Sequence, residues 1–156
     1  MASRSSEPRS VWLESYRPVD TFSNALVVGD DRQEVARLVA TLRVLLGYEI
    51  KIRTANSVNA AINELLHGIP QIVVMDDVLQ PDHTATQSIP MLRRANYAGP
   101  ILIVSRLTSV ERTTRLVEIG AAAVINKDNL DASAVGDALW SCGLLTVTKV
   151  NTKIGR

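Results

Sequence analysis

Five times between Ala25 and Leu139 the sequence alternates a short apolar run with a longer segment whose apolar residues recur every three or four positions. A run of four or five apolar residues is too short for a helix and, with no polar residue interleaved, describes a strand covered on both faces. The three-and-four spacing describes a helix with one buried side. Chains built this way have few options, because strand-helix-strand crossovers are right-handed and short. The expected class is α/β: a doubly wound, five-stranded parallel sheet with helices on both faces.

The runs are Ala25 to Val28, the alternating pair Ile50 and Ile52, Ile72 to Met75, Ile101 to Val104, and Ala121 to Ile125. Val35, Leu38, Val39, Leu42, Leu45 and Leu46 form the first helical face, which Gly47 can end. Ser57 can cap a second helix carrying Val58, Ala61, Ile62, Leu65 and Leu66. Gly68 and Pro70 break the chain before the third strand, and Gly99 and Pro100 before the fourth. After a loop from Val78 to His83, a third helix is read around Pro90 to Ala95. Thr108 with Glu111 has the form of a capping box for a fourth helix, and Asp131 can cap a fifth in which Ala134, Val135, Ala138 and Leu139 face inward.

With 156 residues, the chain matches one ordinary domain, divided as an extension over 1–23, a folded unit over 24–142 and a tail over 143–156. Trp12, Leu13 and Tyr16 are bulky apolar residues of the extension, and either packing onto the domain or binding a partner would account for them. The net charge of +1 provides no general field for nucleic acid or an anionic membrane, so neither is an expected partner. No apolar stretch approaches the roughly 20 residues that span a bilayer. Cys142, the single cysteine, has no internal partner for a disulfide and reads as a packed thiol, and the first residues lack the apolar core of a secretion signal. The expected compartment is the cytoplasm.

The polar residues that matter sit where the strands end. Asp30 and Asp31 follow the first strand, Asp76 and Asp77 the third, Ser105 the fourth, and Lys127 lies just past the fifth. In a doubly wound sheet these ends converge on one cleft. Carboxylates crowded there repel unless a cation joins them, and an oxygen-loving dication, Mg²⁺ above all, meets that need with one or two carboxylates, a carbonyl and waters. With the Lys127 ammonium and the Ser105 hydroxyl, the set could hold phosphoryl oxygens while a carboxylate attacks phosphorus. Simpler readings stand beside this one. Asp30 and Asp31 could cap the first helix, Ser105 could be a turn residue, and Lys127 a solvated lysine. His67 suits a helix end, and His83 is a loop histidine with no second ligand at metal-binding spacing.

From about Ala25 to Trp140 the chain resembles the receiver domains of bacterial two-component response regulators, a flavodoxin-like (βα)5 fold. The matching segments are ALVVGDD, PQIVVMDDVLQP, GPILIVS and GAAAVINK. The resemblance implies that Asp76 is the phosphorylated residue, with Asp77 as the alternative. It further implies that Asp30, Asp31, Asp76 and the Val78 carbonyl hold Mg²⁺, and that Ser105 and Lys127 hold the phosphoryl group. Leu79, three places after Asp76, favours Asp76; Pro81, four places after Asp77, favours Asp77. The donor would be a sensor histidine kinase or a histidine phosphotransfer protein, the domain a phosphoacceptor rather than an enzyme acting on a separate substrate, and a homodimer is possible. The few residues after the last helix are too short for an output module, so a stand-alone receiver signalling through protein contacts is expected.

Four departures from the family pattern bear on function. Gly29 stands at the usual first acid, Arg106 at a usually small residue beside the phosphoryl site, Val124 at the aromatic that reports phosphorylation, and Asp128 at the proline after the lysine. They motivate a second reading, a degenerate receiver that binds partners without phosphorylation. A phosphatase with an aspartyl nucleophile ranks below both, because its acids usually alternate, whereas here they are adjacent.

Overall fold

Each of the five apolar runs becomes a strand of one parallel sheet. The computed structural model describes residues 9–80 and 83–154, with side chains over 17–80 and 83–146. Its elements, in order, are β1 (Arg9–Pro18), β2 (Asn24–Val28), α1 (Arg32–Leu46), β3 (Lys51–Ala55), α2 (Val58–Leu65), β4 (Val73–Asp76), β5 (Val78–Leu79), β6 (His83–Thr84), α3 (Ala85–Arg94), β7 (Ile101–Ser105), α4 (Val110–Glu118), β8 (Ala123–Asn126), α5 (Ala132–Ser141) and β9 (Leu145–Ile154). The central sheet runs in the order β3-β2-β4-β7-β8, all neighbours parallel. The order reverses at β2, since the chain goes first to one side of it and then to the other, and the carboxyl ends of β2 and β4 flank the resulting crevice.

Strand alternation divides the core in two. Leu26, Val28, Val73, Met75, Ile101 and Ile103 face α2, α3 and α4, where they meet Val58, Ala61, Leu65, Ile89, Leu92 and Leu116. Ala25, Val27, Ile72, Val74, Leu102, Val104 and Ile125 face α1 and α5, meeting Leu38, Leu42, Leu46, Val135 and Leu139. The Ser57 and Asp131 caps are present, and Gly47 ends α1 with a φ of 81°.

Several local expectations are revised. The third helix begins at Ala85, well before Pro90, because Thr84 and Gln87 make the reciprocal capping box there. The polar run Thr86 to Ser88 hides that start from a reading of periodicity. The cap of α4 is Ser109, whose hydroxyl accepts from Arg112 N–H, while Thr108 accepts instead from the Asn126 side chain. The loop after Asp77 contains a two-residue ladder, β5 with β6, that includes His83. Pro81 lies outside the described residues.

The two termini pair. β1 and β9 form an antiparallel ribbon from Arg9 opposite Ile154 to Pro18 opposite Leu145. Trp12, Leu13 and Tyr16 fall in β1, but their side chains lie outside those described. At the base of the ribbon Val19 N–H donates to Leu144 carbonyl, and Phe22 and Leu145, expected outside the folded unit, are buried in the core with α1 and α5.

Candidate functional site

The carboxyl ends of β2, β4, β7 and β8 bring the polar residues together around a cavity of about 170 Å³ lined by Gly29, Glu34, Asp76, Arg106, Lys127 and Asp128, with Val27, Val35, Leu38 and Val104 below. Asp76, the last residue of β4, is 8% exposed. Its Oδ1 lies 2.7 Å from Lys127 Nζ. Burial pushes the Asp76 carboxyl above its ordinary value; Lys127 opposes this without cancelling it, and the nearby charges of Glu34 and Asp30 add to it. For Lys127, burial favours the neutral amine, but the bonds to Asp76 and Glu34 outweigh it and hold the ammonium above its usual range.

Asp77 is spent differently. Only 2% exposed, it accepts from Ser105 Oγ at 2.7 Å and from Arg112 Nε at 3.2 Å on Oδ2, and from Arg112 Nη2 at 2.5 Å and Ala85 N–H at 3.2 Å on Oδ1. Burial raises the Asp77 carboxyl, yet these bonds, Arg112 first, more than compensate and lower it below its ordinary value. Ser105 Oγ also accepts from Leu107 N–H at 2.9 Å. The adjacent aspartates thus point to opposite sides of β4, as strand alternation requires: Asp76 into the cavity with Lys127, Asp77 toward α3 and α4.

The first acidic pair is also divided. Asp31 caps α1, accepting from Gln33 N–H at 2.9 Å and Glu34 N–H at 3.1 Å, which is the simpler role its position allowed. Asp30 Oδ2 accepts from Gln80 N–H at 2.9 Å, fastening the loop after β4 beside the site. Gly29 has a packing reason to lack a side chain: a Cβ there would lie 2.8 Å from Val35 Cγ2 and 3.4 Å from Asp76 Oδ2. Among the described residues, no group of three Asp, Glu, His or Cys side chains is arranged to hold a metal ion. Mg²⁺ nevertheless asks for only one or two carboxylates, a carbonyl and waters, and Asp30 is near enough to Asp76 for its charge to act on that carboxyl. Val78, two residues after Asp76, is half exposed.

Two contributors escaped the sequence reading. Glu34, in the first turn of α1, accepts from Lys127 Nζ at 2.7 Å and Arg106 Nη2 at 2.9 Å. Arg106 also lies 3.6 Å from Asp128. Arg112, from α4, holds Asp77. An acid in a first helical turn ordinarily complements the helix dipole, so local sequence gave no sign of Glu34's distant partners. Arg112 carries no local signal either, since its partner lies across the sheet edge.

No family model and no curated protein matches the chain. Solved structures do. The receiver domain of the response regulator NarL from Mycobacterium tuberculosis superposes with a TM-score of 0.63 at 17% identity, over 77% of this chain and 94% of that one. The CheX-CheY-BeF3-Mg complex from Borrelia burgdorferi contains a chain matched with a TM-score of 0.68 at 19% identity, over 78% of this chain and 90% of that one. A response regulator from Burkholderia pseudomallei, solved with a phosphorylated aspartic acid and a calcium ion, gives 0.62 at 19% identity, over 75% and 66%. The fold is that of response-regulator receiver domains. Among the described residues no helix is long and apolar enough to cross a membrane.

Proposed function

We propose that the chain is a phosphoryl-accepting receiver in which Asp76 is the acceptor and which signals through protein contacts. The observation that carries this is the pairing of Asp76, at the floor of a cavity, with Lys127 at 2.7 Å from the end of another strand. Asp77 makes a poor acceptor because both its oxygens are engaged by Ser105, Arg112 and Ala85. Asp30, Asp76 and the Val78 carbonyl would hold Mg²⁺, which supplies charge neutralisation for phosphoryl oxygens when bound. Asp31, turned to the helix, is left out of that set. Lys127 holds Asp76 in place for attack and offers its ammonium to the transferred group. Ser105 must leave Asp77 to donate to that group. Two related folds carry Mg²⁺ with beryllofluoride, or Ca²⁺ with a phosphorylated aspartate, and this supports the same chemistry here. The donor is a phosphohistidine on a kinase or phosphotransfer protein.

Incubation with acetyl phosphate and Mg²⁺ followed by intact mass tests the reading. One added phosphoryl group is expected for the wild type and for Asp77→Asn, and none for Asp76→Asn. Label that persists in Asp76→Asn, or no label on the wild type, overturns it. A second reading, constitutive binding without phosphorylation, is favoured by two observations: Lys127 and Arg106 are already engaged by Glu34, and Gly29 stands where the family pattern has an acid.

A further inference from the structure

We propose that Glu34 is an internal stand-in for the phosphoryl group, occupying the two cations that a phosphorylated Asp76 would use and giving them up when that group arrives. The inference rests on Asp76 being the acceptor and concerns how its site is regulated. Glu34 stands three residues after the Asp31 cap. Instead of turning back along its own helix, its carboxylate spans to Lys127 Nζ at 2.7 Å and Arg106 Nη2 at 2.9 Å, residues brought in by β7 and by the turn after β8. Lys127 thereby lies between Glu34 and Asp76, and Arg106 between Glu34 and Asp128. All five side chains line the same cavity.

Charge counting gives the consequence. In the resting cluster three carboxylates, Asp76, Glu34 and Asp128, share two cations. On transfer, an Asp76 oxygen forms the new O–P bond while the donor's P–N or P–O bond breaks. The bonding pair leaves with the donor, and the monoanionic carboxylate becomes a dianionic acyl phosphate. That added charge is placed where Lys127 and Arg106 are the nearest protein cations, and its charge-assisted contacts to them compete with Glu34 for the same two groups. Glu34 can yield, since its side chain is 24% exposed and the amino end of α1 favours its ionised form in any orientation. Arg106, 59% exposed, has the freedom to turn inward. Glu34 thus sets a threshold for acceptance, and Arg106 becomes a phosphoryl-binding residue once released.

The test is titration of MgCl2 and beryllofluoride into the full chain by calorimetry, with ¹⁵N spectra of the Arg106 Nε–Hε and Lys127 signals. Glu34→Gln keeps the shape and removes the charge. It should bind the mimic about tenfold more tightly, the size of one charge-assisted contact. The Arg106 signal in the free variant should already have moved toward its position in the beryllofluoride-bound wild type. In an Arg106→Gln background the part of the gain that runs through Arg106 should vanish, leaving the part that runs through Lys127, an outcome that a merely structural role for Glu34 would not produce. Should Glu34→Gln melt early, Glu34→Ala read by the same cycle replaces it. Equal or weaker binding by both variants, with the wild type still binding, overturns the inference alone. Binding by the variants but not by the wild type supports it in its strongest form. If no form binds the mimic or takes label from acetyl phosphate, the acceptor reading fails and this inference with it.

Discussion

Neighbouring aspartates of one strand end have opposite electrostatics, and the difference is measurable. Asp76 is buried beside one ammonium and two other acids, so its folded-state pKa lies above the unfolded value. Between those two values the folded state binds more protons than the unfolded state, and stability falls as pH rises. Ionised Asp76 therefore weakens the fold at neutral pH. Asp76→Asn, which mimics the protonated form, is expected to raise the melting temperature at pH 7. The gain should shrink as pH is lowered through the folded-state pKa, where the wild type becomes protonated as well. A melting series from pH 7 to pH 4 checks this, and a lower melting temperature for Asp76→Asn at pH 7 would contradict it. Asp77 behaves in the opposite sense: its lowered pKa contributes stability above the unfolded value that is lost as pH falls through the folded one.

At the scale of the element, α4 is the most lightly held of the helices that cover the sheet. Leu116 is its one fully buried residue, and Val110 and Val117 are exposed. Its amino end is tied down by Arg112 on Asp77, the same carboxylate that holds Ser105. Elements with few buried contacts open first. Arg112→Ala should therefore speed amide hydrogen exchange in α4 selectively, by about tenfold or more, while leaving α1 protected by Leu38, Leu42 and Leu46. Exchange mass spectrometry resolves the two helices. Uniform acceleration across the chain would mean that the Asp77 ion pair supports the whole fold rather than one helix. Ser105 and the amino end of α4 are thus held by one carboxylate.

For the molecule as a whole, the cores lie on either side of the five-stranded sheet, and the β1–β9 ribbon meets the one under α1 and α5 at its base through Val19, Phe22, Leu144 and Leu145. A two-stranded ribbon contributes little independent stability. A chain trimmed to residues 18–146 keeps those basal contacts, and is expected to retain a cooperative melt and Asp76 labelling by acetyl phosphate. Circular dichroism and intact mass provide the check. Loss of cooperative unfolding would show that the ribbon is part of the domain.

Much of this was legible beforehand because it depends on local patterns. Continuous apolar runs at Ala25, Ile72 and Ile101 can be covered on both faces only inside a parallel sheet, and Ser57 and Asp131 announce their helices by side-chain chemistry alone. The convergence of Asp30, Asp76 and Lys127 followed from the topology, since strand ends of one sheet share an edge. Tertiary structure decided how each charge is used. Which of two adjacent aspartates faces the cavity depends on the phase of β4 against its neighbours. That Glu34 takes both cations and that Arg112 reaches Asp77 depend on distances between elements far apart in sequence. The reason is physical: strand and helix periods are written in consecutive residues, whereas an ion pair is set by the ångström-scale separation of side chains that only the packed fold brings together.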